Sequence, residues 1–171
     1  MENKIRWGIL GTGRIARAFA EGLKHTQNAE LIAIASRTLE SAQSFANEWQ
    51  IPHAFGSYEE LAESELLDAV YIATPHTEHV KNAILCMEKR KAVLCEKPLA
   101  VNAGQVGKMI QEAKKQDVLL MEGMWSRFPP LMHEVRRLIK ENEIGEIRTI
   151  HADFGFRPEN KDPNGRLFNP D

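Results

Sequence analysis

A glycine-rich turn near the start of the chain constrains the fold more than any other feature of the sequence. Residues 5–10 form a short, mostly apolar run, Gly11, Thr12 and Gly13 follow at once, and apolar residues then recur at helical spacing. This order predicts a buried strand, a tight turn and a helix. In such a turn Gly11 permits the sharp bend, Gly13 lets the backbone approach a pyrophosphate, and the small Ala16 lets helix and strand pack closely.

The turn is therefore predicted to bind a dinucleotide. The start of the helix offers unpaired N–H groups and the positive end of the helix dipole to an anion. The residues expected at the phosphates are Gly11, Thr12, Gly13, Arg14 and Ile15. The alternative is a glycine turn that serves helix packing alone.

A second apolar run, residues 30–36, lies at the distance that completes a βαβ unit. An NAD site usually has an Asp or Glu at the end of this strand for the ribose, whereas this chain has Ser36 and Arg37 there. A guanidinium pairs with a 2′-phosphate, which a carboxylate would repel. We therefore predict NADP rather than NAD, bound by Ser36 and Arg37. Alternatively, Arg37 is a solvated helix-start residue, and Glu40 or a flexible site admits either cofactor.

The alternation of apolar runs with helical patterns predicts an α/β fold, a doubly wound parallel sheet, over residues 1–122. Its further strands are expected at residues 53–55, 69–73, 92–95 and 118–121. From residue 147 to 156 the pattern changes to period two, which predicts a half-buried strand of a second, open-sheet α+β domain. Residues 123–171 would be the start of that domain, and residues 157–171 a loop. Because one strand makes no stable sheet, we expect the chain to be the N-terminal part of a longer polypeptide.

Ligands of an open parallel sheet bind beyond the carboxyl ends of its strands. The strand at 69–73 ends in Thr74, Pro75 and His76, which are therefore expected to border the cofactor, with His76 contacting ribose or substrate. His76 and His79 lie three residues apart, but no third ligand is suitably placed, so we predict no metal site.

The strand at 92–95 leads into Glu96, Lys97 and Pro98. A lysine buried at the mouth of this strand could exchange a proton with a reacting oxygen while hydride moves to or from a nicotinamide. The alternative is a surface lysine beside a loop proline.

Composition narrows the classes of partner. The chain has 171 residues and a net charge of −2, which provides no basic field for nucleic acid and no cationic face for a membrane. It shows neither an apolar run of membrane-spanning length nor a signal-peptide pattern, so a cytoplasmic location is expected. Cys86 and Cys95 lie within apolar stretches and are predicted to be buried core residues rather than a disulfide.

Three motifs occur in a fixed order: Gly-Ile-Leu-Gly-Thr-Gly-Arg-Ile-Ala at 8–16, Ala-Thr-Pro-His-Thr-Glu-His at 73–79 and Cys-Glu-Lys-Pro-Leu at 95–99. Together they resemble the glucose-fructose oxidoreductase and inositol dehydrogenase (Gfo/Idh/MocA) family, which has a Rossmann domain followed by an open-sheet domain. Within it, Met-Glu-Gly-Met-Trp-Ser-Arg-Phe at 121–128 resembles the branch of dimeric dihydrodiol dehydrogenases and NADP-dependent D-xylose dehydrogenases.

The resemblance implies an NADP-dependent oxidoreductase that transfers a hydride between nicotinamide and a CH–OH or carbonyl group of a sugar or cyclic trans-diol. It implies Lys97 as the catalytic residue and Trp125 and Arg127 at the substrate. From the residues alone, Trp125 could equally fill the joint between the two domains. The residues that it implies near the cofactor are Gly11, Gly13, Arg37, Thr74, His76 and Glu96. It also implies a homodimer of the full-length protein, formed through the second domain. The rival classes are a non-catalytic NADP-binding regulator of the same fold and a protein-interaction module.

Overall fold

The computed structural model describes residues 4–157. The chain divides into two compact units, Met1–Trp125 and Ser126–Asp171, called here the first and the second unit. Six strands form the sheet of the first unit: β1 (Ile5–Leu10), β2 (Ala29–Ala35), β3 (His53–Phe55), β4 (Ala69–Ile72), β5 (Ala92–Glu96) and β6 (Leu120–Gly123). They are all parallel, in the order β3-β2-β1-β4-β5-β6. This order confirms the predicted doubly wound α/β fold, in which the chain reverses its direction of winding between β1 and β4.

The helices of the first unit are α1 (Arg14–Lys24), α2 (Leu39–Trp49), α3 (Tyr58–Glu63), α4 (His79–Glu88) and α5 (Ala103–Gln116). They cover both faces of the sheet. Consecutive strand residues accordingly fall into opposite core clusters: Ile9 packs with Phe45 on the α1 and α2 side, and Leu10 packs with Met87 and Met109 on the other. Burial of both faces explains why the strands are continuous apolar runs.

Three of these helices begin with a side-chain cap. The side chains of Thr38, Ser57 and Asn102 accept hydrogen bonds from the backbone N–H groups three residues on, at 3.3, 3.2 and 2.9 Å. Helices α1 and α4 have no side-chain cap. Helix α4 follows directly on the 3-10 turn His76–Glu78, whereas α1 begins after the N-cap residue Gly13. The N–H groups of its first turn are therefore left for another acceptor.

The sixth strand starts later than the sequence predicts. Asp117 takes the left-handed conformation (φ 53°), and the N–H of Val118 donates to the Ala113 carbonyl at 3.1 Å. The backbone at Asp117 and Val118 therefore forms the C-terminal cap of α5, which ends at Gln116. Strand β6 accordingly begins at Leu120 instead of Val118. It continues to Gly123, which brings Glu122 into the sheet.

The described part of the second unit, residues 126–157, contains the amphipathic helix α6 (Pro130–Lys140). The strand predicted over residues 147–156 is wrong for this structure: those residues form no regular element, and Ile150 and Phe154 are 79% and 86% exposed. A strand requires a neighbour to pair its backbone groups, and residues 126–157 provide none. Apart from Arg157, the predicted loop at 157–171 lies outside the described residues.

Among residues 4–157, no helix is both long enough and apolar enough to span a bilayer.

The two cysteines of the first unit are free and fully buried, as predicted. Burial raises the pKa of the Cys86 thiol and of the Cys95 thiol to about 12. The reactive thiolate is therefore scarce at neutral pH.

We expect neither Cys86 nor Cys95 to be alkylated within minutes in the native protein at pH 8, and both to be alkylated after unfolding. Mass spectrometry of the labelled peptides measures this; rapid labelling of either residue in the native state would contradict the burial.

Candidate cofactor and catalytic site

Gly11 lies at the centre of the turn after β1, where the chain reverses its winding. Its φ is +98°, and a Cβ built there would lie only 2.9 Å from the backbone oxygen of Ala73, which follows β4. Its N–H donates to the carbonyl of Ala35 at the end of β2, at 2.9 Å. The turn is thus enclosed by the ends of two neighbouring strands, and the fold itself requires glycine at this position.

Gly13 has a different environment. Its backbone is extended (φ −74°, ψ −178°), and a Cβ built there would meet no atom within 4 Å. No contact in the described chain therefore requires a glycine here. The open space lies over the uncapped start of α1, so the residues present fit a phosphate group that approaches the backbone closely. Ala16, the third small residue of the motif, is fully buried, as close helix packing needs.

Arg17 on α1 restrains the glycine turn, a role that the sequence analysis missed. Its Nη1 donates to the carbonyl of Thr12 at 2.9 Å, and its Nε and Nη2 donate to Glu48 on α2 at 3.1 and 2.9 Å. The guanidinium also lies over the ring of Phe45. Because these partners come from two elements, Arg17 connects the turn to α2.

The predicted 2′-phosphate residues lie just beyond the end of β2. Ser36 is 8% exposed, and its N–H donates to the carbonyl of Phe55 at 3.3 Å, so it is part of the packed structure. Arg37 is exposed and immediately precedes Thr38, the cap of α2. Burial raises the pKa of Tyr58, and the positive charge of Arg37 acts on it in the opposite direction.

Thr74, predicted at the cofactor, is only 7% exposed. Its carbonyl lies 3.0 Å from Nε2 of His79, and its hydroxyl accepts a hydrogen bond of 3.0 Å from Nδ2 of Asn82. Both groups are engaged within the protein, and a contact of Thr74 with the cofactor stays a prediction. Pro75 is exposed, and His76 is half-buried, with its ring centroid 5.6 Å from that of His79.

His79 joins two loops that the sequence analysis treated separately. Its side chain is completely buried, with Nε2 at the Thr74 carbonyl and Nδ1 2.9 Å from the carbonyl of Pro98. Neither ring nitrogen is left for a metal ion. The sequence carries a signal for this role, because His79 and Asn82 are polar residues on the face of α4 that is otherwise buried and apolar.

Glu96, at the end of β5, has a fixed carboxylate. Its Oε1 accepts a short hydrogen bond, 2.6 Å, from the hydroxyl of Tyr71, and its Oε2 accepts the backbone N–H of Lys97 at 3.2 Å. Tyr71 is 3% exposed and stacks on Phe19 at 3.9 Å. Burial and the hydrogen bond to Glu96 raise the pKa of Tyr71, which therefore remains a donor at neutral pH. A buried tyrosine needs such a partner, and that need is the signal in the sequence.

Lys97 is exposed, which corrects the expected burial at the strand mouth. The reason is that β5 ends at Glu96, so the lysine belongs to the loop beyond the sheet. This loop is nevertheless anchored, because the N–H of Leu99 donates to Oε1 of Glu122 on β6 at 2.9 Å. Neither Glu122 nor its contact with the lysine loop was predicted from the sequence.

The two predicted substrate residues lie in a 3-10 turn, Trp125–Arg127. Trp125 is 60% exposed. Arg127 is exposed too, and its carbonyl accepts a hydrogen bond of 2.7 Å from Nη2 of Arg136 on α6. Substrate contacts of Trp125 and Arg127 stay predictions.

The chain matches known proteins over the segment that carries these features. Residues 5–124 match the model of the Gfo/Idh/MocA oxidoreductase family with an NAD-binding Rossmann fold. Among curated proteins, the trans-1,2-dihydrobenzene-1,2-diol dehydrogenases of Danio rerio and Mus musculus are each 44% identical, over 88% and 89% of this chain and 46% of each relative. The chain thus spans about half the length of these relatives.

The chain is also similar in fold to solved structures of oxidoreductases. A probable dehydrogenase from Thermotoga maritima is 33% identical with a TM-score of 0.77, over 82% of this chain and 42% of that protein. A 3-ketoreductase from Actinomadura kijaniata, solved with NADP and TDP-benzene, is 32% identical with a TM-score of 0.78, over 85% and 46%.

The match over residues 5–124 confirms the resemblance drawn from the three sequence motifs, and the parallel sheet with its glycine turn agrees with it. The chain belongs to the Gfo/Idh/MocA oxidoreductase family, whose Rossmann fold binds NAD(P).

Proposed function

We propose that the protein is an NADP-dependent oxidoreductase that transfers a hydride between nicotinamide and a CH–OH or carbonyl carbon of a sugar or cyclic trans-diol. One observation carries this proposal. The glycine turn, the Thr74 loop and the Lys97 loop follow β1, β4 and β5, which are neighbours in the sheet. A phosphate-binding turn, a ribose-side loop and a proton-transferring lysine would therefore face the same ligand.

The relatives support the choice of substrate and cofactor. The curated relatives are named as dehydrogenases of a cyclic trans-diol, and the 3-ketoreductase was solved with NADP. In this chain, Arg37 stands where an NAD site usually has a carboxylate. We assign the 2′-phosphate to Arg37 and Ser36, and the pyrophosphate to the turn and its following residues, Gly11, Thr12, Gly13, Arg14 and Ile15.

When bound, the nicotinamide supplies or accepts the hydride. In reduction, the Lys97 ammonium would donate a proton to the carbonyl oxygen as its carbon receives the hydride. In oxidation, the neutral amine would accept the hydroxyl proton. Glu96 would hold the loop on the nicotinamide side, where Pro75 and His76 would also lie, and Trp125 and Arg127 would contact the substrate. The dimer and the cytoplasmic location expected from the sequence stay predictions.

The first prediction from this proposed function separates binding from folding by making the same substitution at two exposed glycines, one at the start of α1 and one within it. Gly13→Ala places a methyl group where the pyrophosphate would approach the protein backbone. Gly22→Ala is the control: it lies within α1, and a Cβ built there also meets no atom within 4 Å. We expect about 10-fold weaker NADPH binding for Gly13→Ala, from the loss of roughly 1.4 kcal/mol of phosphate contact. Gly22→Ala should bind normally and gain about 0.5–1 kcal/mol in stability. Fluorescence titration and thermal melting measure both; equal affinities would contradict the phosphate role.

The second prediction tests cofactor choice. Arg37→Gln should lower kcat/KM for NADP by about 10- to 100-fold, because a charge-assisted hydrogen bond to the 2′-phosphate is lost. Activity with NAD, which has no such phosphate, should stay within about twofold of wild type. Arg90→Gln, after α4 and before β5, is the matched control and should change neither value. An unchanged NADP to NAD ratio in Arg37→Gln would support the solvated-arginine interpretation instead.

The third prediction tests catalysis by the full-length protein with aldoses and cyclic trans-diols, followed through the absorbance of the reduced cofactor. Lys97→Met should lower kcat by about 10²- to 10⁴-fold, because it removes the proton-transferring group and keeps a long, unbranched side chain. The affinity for NADPH should change by less than about threefold. Lys108→Met, on the exposed surface of α5, is the control.

Full turnover by Lys97→Met would reject the catalytic role of this lysine. If the wild-type protein bound NADPH tightly and turned over no substrate of the panel, the oxidoreductase proposal would fail, and the regulator would replace it.

A further inference from the structure

We propose that Glu122 is a positioning residue for Lys97, acting through the backbone N–H of Leu99. This inference rests on the proposed function, which makes Lys97 the proton-transferring group. Glu122 lies on β6, paired in register with Cys95 of β5. Its Oε1 accepts a hydrogen bond of 2.9 Å from the N–H of Leu99, two residues after the lysine and 23 residues away in sequence.

The contact is part of a set of hydrogen bonds that holds the backbone on both sides of Lys97. Before the side chain, the N–H of Lys97 itself donates to Glu96. After it, the carbonyl of Pro98 lies 2.9 Å from Nδ1 of the buried His79, and the next N–H donates to Glu122. Three side chains from β5, α4 and β6 thus hold two peptide groups of the loop, the one that joins Glu96 to Lys97 and the one that joins Pro98 to Leu99. The direction in which the lysine side chain leaves the backbone is set by these groups.

Strand β6 lies close to β5 at the residues beside this bond. Gly123, the next residue, has no side chain, and a Cβ built there would lie 3.3 Å from the carbonyl of Cys95 and 3.3 Å from Oε1 of Glu96. The absence of a side chain lets the two strand ends approach. The carboxylate of Glu122 is partly buried at this junction, and a hydrogen bond to an ionised acceptor is stronger than one between neutral groups.

The role assigned to Glu122 differs from that of a catalytic residue. Its side chain accepts a hydrogen bond from a backbone amide, so its removal should change the position of the lysine amine and leave the phosphate and 2′-phosphate contacts of the cofactor as they are. Small displacements of a reacting group reduce rates strongly, because proton transfer requires close alignment. We therefore expect a loss in kcat with little change in cofactor affinity.

The experiment compares Glu122→Gln and Glu122→Leu in the full-length protein. Glutamine keeps a carbonyl oxygen that can accept the Leu99 N–H, whereas leucine removes the acceptor at similar size. We expect Glu122→Leu to lower kcat by about 10-fold, to leave the Kd for NADPH within about threefold, and to speed hydrogen exchange at the Leu99 amide. Glu122→Gln should restore kcat to within about threefold of wild type. Glu88→Leu, on the exposed end of α4, controls for the substitution itself.

A double variant separates positioning from a general structural role. If Glu122 acts through Lys97, Glu122→Leu should cost nothing further in a Lys97→Met background. An equal 10-fold loss in both backgrounds would overturn the proposal, as would wild-type kcat in Glu122→Leu. If the leucine variant does not fold, Glu122→Thr, a strand-compatible side chain too short to reach Leu99, takes its place. Absence of turnover in the wild-type protein would instead reject the proposed function.

Discussion

The site depends on the close approach of the β1 turn to the backbone that follows β4. Gly11 makes this approach possible, because any side chain there would collide with the carbonyl of Ala73. With the turn in this position, the loops after β1, β4 and β5 emerge side by side at one edge of the sheet. The remaining polar contacts then hold those loops in place, and His79 is central to them because it contacts one carbonyl in each of the two later loops.

The polar groups of this site form two layers. The outer layer contains the exposed residues assigned to ligands, Gly13, Arg37 and Lys97. The inner layer contains buried side chains, such as Tyr71 and Asn82, whose hydrogen bonds end on Glu96 and on the Thr74 loop. A buried polar group without a hydrogen-bond partner is unfavourable, so each of these inner bonds has a strong tendency to form. The inner bonds fix the loops, and the loops set the positions of the outer residues. Rigid support of this kind is what proton and hydride transfer require.

The sequence predicted the sheet and the glycine turn but not the inner layer of contacts, and the ligand roles of the outer residues stay predictions. Local patterns were sufficient for the sheet and for the glycine turn, since apolar runs and helical spacing are read within a few residues. The hydrogen bond from Leu99 to Glu122 joins residues 23 apart, and the one between His79 and Pro98 joins residues 19 apart. Such pairs follow from strand order and loop direction, which no local pattern contains. The strand expected over residues 147–156 failed for a related reason, because alternation indicates which faces a strand would have but not whether a partner strand exists.

The missing side-chain cap of α1 has a thermodynamic consequence. In helices α2, α3 and α5 a side chain accepts one N–H of the first turn, whereas no side chain caps the first turn of α1. A phosphate bound there would complete the helix, so ligand binding and folding of this unit would be linked. Saturation at 100 times the Kd adds about 2.7 kcal/mol to the free energy of unfolding. The nucleotide pool of the cell would then act as a folding partner of this domain, and a drop in that pool would shorten its lifetime against proteolysis.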